Sequence, residues 1–271
     1  MMQGEEKRMG KIIAVANQKG GVGKTTTSIN LAAGLGYAGR KVLLVDFDPQ
    51  GNATNGCGTN KAGFDPKHTT YNLLMGEDRI KDDVVHLHMP PIDIIPATID
   101  LSGADVEMAS TDYTVGREHL LKNKLDEVKD QYHYIIIDCP PSLGLLNTNA
   151  LTAADSVMIP VQCEYFALEG LTQLLSTIRL VQKLWNPHLS IEGVLLTMFD
   201  VRTKLSVEVQ QEVRKYFKEK VYRTYIPRNV RLSEAPSRGM SIFEYDTRSE
   251  GAKAYAGLCK EVMAANEKGA H

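Results

Sequence analysis

Nine residues near the start of the chain, Gln18-Lys19-Gly20-Gly21-Val22-Gly23-Lys24-Thr25-Thr26, have the types and spacing to hold phosphate. Clustered glycines let backbone N–H groups converge on phosphate oxygens without Cβ clashes. A helix that begins where the glycines end adds the positive end of its dipole to the same anion. Lys24 then supplies a point charge for the outer phosphates, and the Thr25 hydroxyl offers a hard oxygen to Mg²⁺. The usual phosphate-loop spacing, G-x-x-x-x-G-K-[ST], is not met, because Gln18 stands where its first glycine belongs. An additional lysine, Lys19, follows it. A magnesium–nucleotide site also needs carboxylates at neighbouring strand ends. Two apolar runs deliver them: residues 42–45 lead into Asp46-Phe47-Asp48-Pro49-Gln50-Gly51-Asn52, and residues 134–137 into Asp138-Cys139-Pro140-Pro141. Asp138, a single acid closing an apolar strand, has the form of a residue that holds magnesium through a water.

These groups must be positioned by something, and the hydrophobic pattern says what. Residues 12–16, 42–45, 134–137, 157–161 and 191–198 are near-continuously apolar, as strands covered on both faces should be. Residues 24–36, 164–184, 206–219 and 250–264 read as helices between and after them. Such alternation predicts an α/β fold of the phosphate-loop kind, a mostly parallel twisted sheet with helices on both faces. The stretch 51–96, rich in Gly, Pro, Asn and Thr, reads as loops and short helices. No linker suggests a boundary, so residues 9–271 are expected to form one domain, with residues 1–8 a flexible extension before a second plausible start at Met9.

Lys19-Gly20-Gly21-Val22-Gly23-Lys24-Thr25-Thr26 resembles the deviant Walker A motif of the ParA/MinD class of ATPases. The resemblance runs from about Met9 to about Met263, and it implies ATP with Mg²⁺ as ligands and slow, partner-stimulated hydrolysis. In that class the early lysine, here Lys19, reaches across a homodimer to the partner's ATP. The Asp48-Pro49-Gln50 segment is similar to the class's second motif, which gives Asp48 the role of positioning the attacking water and leaves Asp46 to support the metal shell. Residues 226–235 are similar to a loop that brings Pro227 and Asn229 against adenine.

The net charge of −2, from 31 basic and 33 acidic side chains, gives no hint of a nucleic-acid partner. It conceals a local excess: between Arg202 and Arg238 lie ten basic residues and four acidic ones. Phosphate-backbone binding needs a concentrated basic face rather than a basic whole. The segments around Arg202 and Arg231 are similar to the Soj branch of ParA proteins, in which the matching arginines contact double-stranded DNA without reading its sequence. That branch implies a ParB-type centromere-binding partner, a chromosome- or plasmid-partitioning role, and residence in the cytoplasm on the nucleoid.

Other classes fit less well. No apolar run approaches the length of a membrane span, and the N-terminus lacks the apolar region of a secretory signal, so no export and no membrane partner is expected. A MinD-like membrane positioner, the alternative reading, would need a basic amphipathic C-terminal helix with bulky anchors. Residues 260–271 have mixed charge and few such anchors. An electron-transfer relative on the same scaffold would need cluster-ligating cysteines; Cys139 and Cys163 lie at strand ends, where small thiols pack. The four cysteines show no metal or disulfide spacing, and His86-x-His88 lacks a third ligand.

Overall fold

The computed structural model describes residues 10–59, 63–76, 79–110, 116–142, 144–164 and 167–267, the side chains of 167–169 apart. The extension expected at 1–8 lies outside the described residues. Seven strands form one sheet: β1 (Lys11–Val15), β2 (Val42–Asp46), β3 (Val85–Leu87), β4 (Ile92–Ile95), β5 (Tyr134–Asp138), β6 (Ser156–Gln162) and β7 (Ser190–Thr197). Their order is β3-β4-β2-β5-β1-β6-β7, and only β3 runs antiparallel to its neighbour. The mostly parallel sheet is as the apolar runs predict. Strands β3 and β4 correct the reading of 51–96 as loops and short helices alone. With three and four residues, they are too short to show a period.

Side chains alternate across each strand, and both faces are buried. On one face Ile12, Leu43, Ile135, Ile137, Val157 and Val194 pack beneath α4 (Leu101–Ala109), α5 (Leu120–Asp126), α6 (Leu145–Ala153), α7 (Ala167–Leu184) and α8 (Lys204–Phe217). On the other, Ile13, Val15, Leu44, Ile136 and Leu195 meet α1 (Lys24–Tyr37), α10 (Ile242–Tyr245) and α11 (Glu250–Asn266). The short helices α2 (Asn52–Gly56), α3 (Thr70–Met75) and α9 (Val230–Ser237) complete the described set.

Two helices govern how the surface around the sheet is used. α8 buries Val209, Val213 and Phe217 at a spacing of four, so its charged residues face solvent; Thr203 caps it by accepting from the Ser206 amide. α11 starts at Ser249, which accepts from the Ala252 amide, and buries Tyr255, Leu258, Cys259 and Val262 against the α1 side of the sheet. The apolar face of the C-terminal helix is thus spent on the core. No helix among the described residues is long and apolar enough to cross a membrane.

Candidate active site

The register of the sheet assembles the site. Val15 pairs with Asp138, and Asp138 with Asp46, so β1, β5 and β2 end at one level. Beyond those carboxyl ends, with β5 and then β2 on one side of β1 and β6 on the other, a parallel sheet leaves a crevice for a ligand. The loop after β1 fills its mouth. Gly21 and Gly23 hold φ values of 75° and 88°, which side chains other than glycine adopt only under strain. The loop is pinned at two points: Asn17 donates through Nδ2 to the Pro160 carbonyl (2.7 Å), and the Thr197 hydroxyl donates to the Val22 carbonyl (2.8 Å). Around Gly20 and Gly21 a Cβ would meet no atom within 4 Å, an open cradle of the kind phosphate oxygens need.

Lys24 is buried, and its Nζ donates to the Lys19 carbonyl (3.2 Å). Burial lowers its pKa, while the charge of Asp138 opposes that fall. Asp138 is fully buried; the Ser28 hydroxyl donates to its Oδ1 (2.8 Å), and its Oδ2 has no hydrogen bond of proper geometry. Burial, followed by the neighbouring Asp46, pushes Asp138 up to about 7, with Thr25 and Ser28 pulling the other way. A buried, under-satisfied carboxylate oxygen beside the Thr25 hydroxyl is a fit for a hard divalent cation. Asp48 lines the crevice, and its Oδ1 accepts from the Gln50 amide (3.0 Å).

Asp46 is differently employed. Its Oδ2 accepts from both the amide and the hydroxyl of Thr54 (2.7 Å each), and its Oδ1 from the Asp48 amide (3.3 Å). Burial pushes it up to about 6 against those bonds. Like Asp138 it does not itself line the crevice, and its hydrogen bonds are spent on placing Asp48 and α2.

Two cavities meet over the loop. One of about 600 Å³ is lined by Gly20, Lys24, Thr25, Asp48 and Pro141, among others. The second, about 280 Å³, contains Pro227 and Asn229 together with Thr197, Ser233 and Tyr255. Gly23, Thr26 and Met198 line both, which brings the residues expected at adenine next to the phosphate loop. Gln50, Asn52, Asn55, Met198 and Tyr255 also line these cavities, with no role expected of them from the sequence. The first three lie inside or just beyond the acidic motif that starts at Asp46. Met198, at a left-handed φ of 51°, and Tyr255, which shares a hydrogen bond with Thr27 (3.1 Å), give no local signal.

Lys19 is half-buried, does not line the crevice of its own chain, and pairs through its amine with Glu164. Arg202 and Arg231 are exposed, 85% and 54% by side chain, and both are paired. Arg202 makes a bidentate contact with Asp200 (2.9 and 2.7 Å), holding that carboxyl down to about 2. Arg231 lies 3.0 Å from Glu234 and 3.7 Å from Asp246. Cys139 and Cys163 are buried, and burial pushes their thiols up, that of Cys163 to about 12, as expected of packing residues.

A strand, glycine loop and helix facing two strand-end carboxylates define a phosphate-loop nucleotide hydrolase. Residues 10–191 match the family model described as an AAA domain. The chain is 60% identical over 256 residues to the sporulation initiation inhibitor protein Soj of Bacillus subtilis, covering 94% of this chain and 99% of that protein. It is 52% identical to the chromosome-partitioning ATPase Soj of Treponema pallidum, covering 94% and 98%. Among solved structures, cobyrinic acid a,c-diamide synthase of Mycobacterium smegmatis with bound ADP and magnesium superposes with a TM-score of 0.80 at 37% identity, over 96% of this chain and 97% of that one. The chain belongs to the Soj/ParA family of chromosome-partitioning ATPases.

Proposed function

We propose that this chain is an ATP-driven DNA-partitioning switch, in which two copies close around two ATP molecules, bind duplex DNA through its backbone, and release it when a ParB-type partner accelerates hydrolysis. The loop amides and Lys24 hold the phosphates, Thr25 would hold Mg²⁺ directly and Asp138 through a water, and Pro227, Asn229 and Met198 frame the base. Bound there, magnesium would supply positive charge to the phosphate oxygens. Asp48 orients the attacking water, and the Gln50 amide fixes which carboxylate oxygen faces it.

The observation that carries the reading is Lys19. The crevice already has its lysine in Lys24, whereas the Lys19 amine pairs with Glu164 and does not line the crevice. A lysine so placed can serve a second copy. Arg202 and Arg231, exposed beside the crevice, are the proposed DNA contacts, and a dimer presents two sets of them at once. Hydrolysis disperses the pair and with it the electrostatic hold.

Molecular mass in solution tests the switch. The expected results are a monomer with ADP, a weak dimer with ATP, and a trapped dimer with ATP after Asp48→Ala. A variant that binds ATP yet stays monomeric would overturn the sandwich. Gel shifts with non-specific duplex should require ATP and be lost in Arg231→Glu; equal binding in ADP would overturn ATP control.

A further inference from the structure

The basic residues between Arg202 and Arg238 do not form one face. Helix α8, fourteen residues long and so about 21 Å from end to end, carries Lys204 and Lys215, each paired with a glutamate of the same helix, and seven of the others fall into two groups at its ends. Arg202, Arg228 and Arg231 sit near the crevice, where Phe199 bridges to Pro227. Arg214, in the last turn of the helix, and Lys218, Lys220 and Arg223, beyond it, sit at the other end, where Val221 pairs with Val194 in mid-β7. The groups differ in what holds them. Near the crevice, Arg202 and Arg231 are tied to Asp200, Glu234 and Asp246. In the distal group, none of Arg214, Lys218, Lys220 and Arg223 pairs with a carboxylate among the described residues; Arg214 donates only to the Tyr222 carbonyl (3.4 Å).

The distal cations rim a groove of about 980 Å³. Its acids are withdrawn: Glu192 is 6% exposed by side chain and accepts from Ser156 and Asn266, and Glu261 accepts from the Arg223 and Thr224 amides. Of the rim residues only Glu219 presents an exposed negative charge. The wall is rigid, since the Tyr222 ring is buried close against Gly193, where a Cβ would come within 2.4 Å of it. Lys218 ends α8 at φ 50°, ψ −121°, a conformation a lysine holds only where its surroundings impose it.

Resting on the proposed DNA binding, we infer that this distal group is a second contact for the phosphate backbone of duplex DNA, at the opposite end of α8 from Arg202. Binding to a polyanion draws on counterion release by cations not already neutralised, and those are concentrated here. Both groups lie on the β7 edge of the sheet, so one duplex running along α8 can meet both.

The test measures binding of a non-specific duplex to the full chain with ATP across a salt series, for the parent and for Lys218→Gln/Lys220→Gln/Arg223→Gln. Each phosphate contact adds about 0.9 to the slope of log affinity against log salt. The triple variant is expected to lose roughly two to three units of slope and at least about tenfold in affinity at ~0.1 M salt, with ATP hydrolysis and dimer mass unchanged. Lys218→Arg/Lys220→Arg, which keeps the charge, should retain the parental slope. If the parent binds and the triple variant keeps its slope, this inference fails alone. If the parent does not bind duplex in ATP, the proposed DNA binding fails and takes this inference with it.

Discussion

At the scale of single residues, the site separates positions that serve the fold from those that serve the ligand. Gly20 has an ordinary φ and open space where a Cβ would stand. Gly20→Ala should leave the ligand-free melting temperature unchanged, within about 0.5 kcal/mol of stability, while cutting ATP affinity at least about tenfold, because the methyl occupies the phosphate cradle. Melting curves without nucleotide and titration with a fluorescent ATP analogue check both halves; loss of stability would mean the loop is needed by the fold itself. The buried carboxylates make a second residue-scale case. Asp46 and Asp138 are raised to about 6 and about 7, above their unfolded values near 3.8. The folded state therefore binds more protons across that window, and stability without metal falls as pH rises from about 4 to about 7. A melting series in chelator should descend between about pH 5 and about pH 7.5, and Asp138→Asn should flatten it while abolishing magnesium-dependent hydrolysis. A series that climbs with pH would show that these carboxyls are not held protonated by burial.

At the scale of elements, the legible part of the fold is the part that is local in the chain. The glycine loop, the start of α1 and the strands ending in Asp46 and Asp138 are each announced by adjacent residues, and the fold places them as that reading requires. The engagement of Asp46 with Thr54 was not legible, because it depends on α2 folding back eight residues later. Nor was the second cavity, which needs β7, α9 and α11 to bring Met198, Ser233 and Tyr255 beside Thr26. Strands β3 and β4 were hidden by their shortness. Thr197 illustrates how a distant element shapes the loop, since its hydroxyl at the end of β7 fixes the Val22 carbonyl from 175 residues away. Thr197→Val keeps the shape and strands that carbonyl, so it should cost about 1–3 kcal/mol. Part of the loss should appear as weaker ATP binding, because the cradle is no longer held ready. Parallel measurements of melting and nucleotide affinity check this; unchanged affinity would mean that Asn17 alone positions the loop.

At the scale of the whole molecule, net charge is a poor guide to partners, because the field near a surface depends on which charges are already answered. The two groups of cations at the ends of α8 are close in sequence and indistinguishable by counting; only the fold reveals that Arg202 and Arg231 are paired with acids while, among the described residues, Arg214, Lys218, Lys220 and Arg223 are not. The paired group need not be silent. Arg202 and Arg231 are held by carboxylates at exposed sites, where an ion pair adds little stability and salt screens it. In the proposed complex a DNA phosphate would displace Asp200 or Glu234, and the displaced carboxylate would then repel the duplex. Removing that repulsion gives a directional test. Asp200→Asn/Glu234→Gln should bind non-specific duplex severalfold more tightly in ATP than the parent, with a steeper dependence on salt and no change in ATP affinity. Binding by the variant in ADP should remain weak, since a single copy offers only one set of cations. If tightening is equal in ADP and ATP, the acids act on each copy independently and nucleotide-driven pairing is not what controls the grip. If there is no tightening at all, Arg202 and Arg231 do not face the duplex, and the cations beyond α8 must account for its binding.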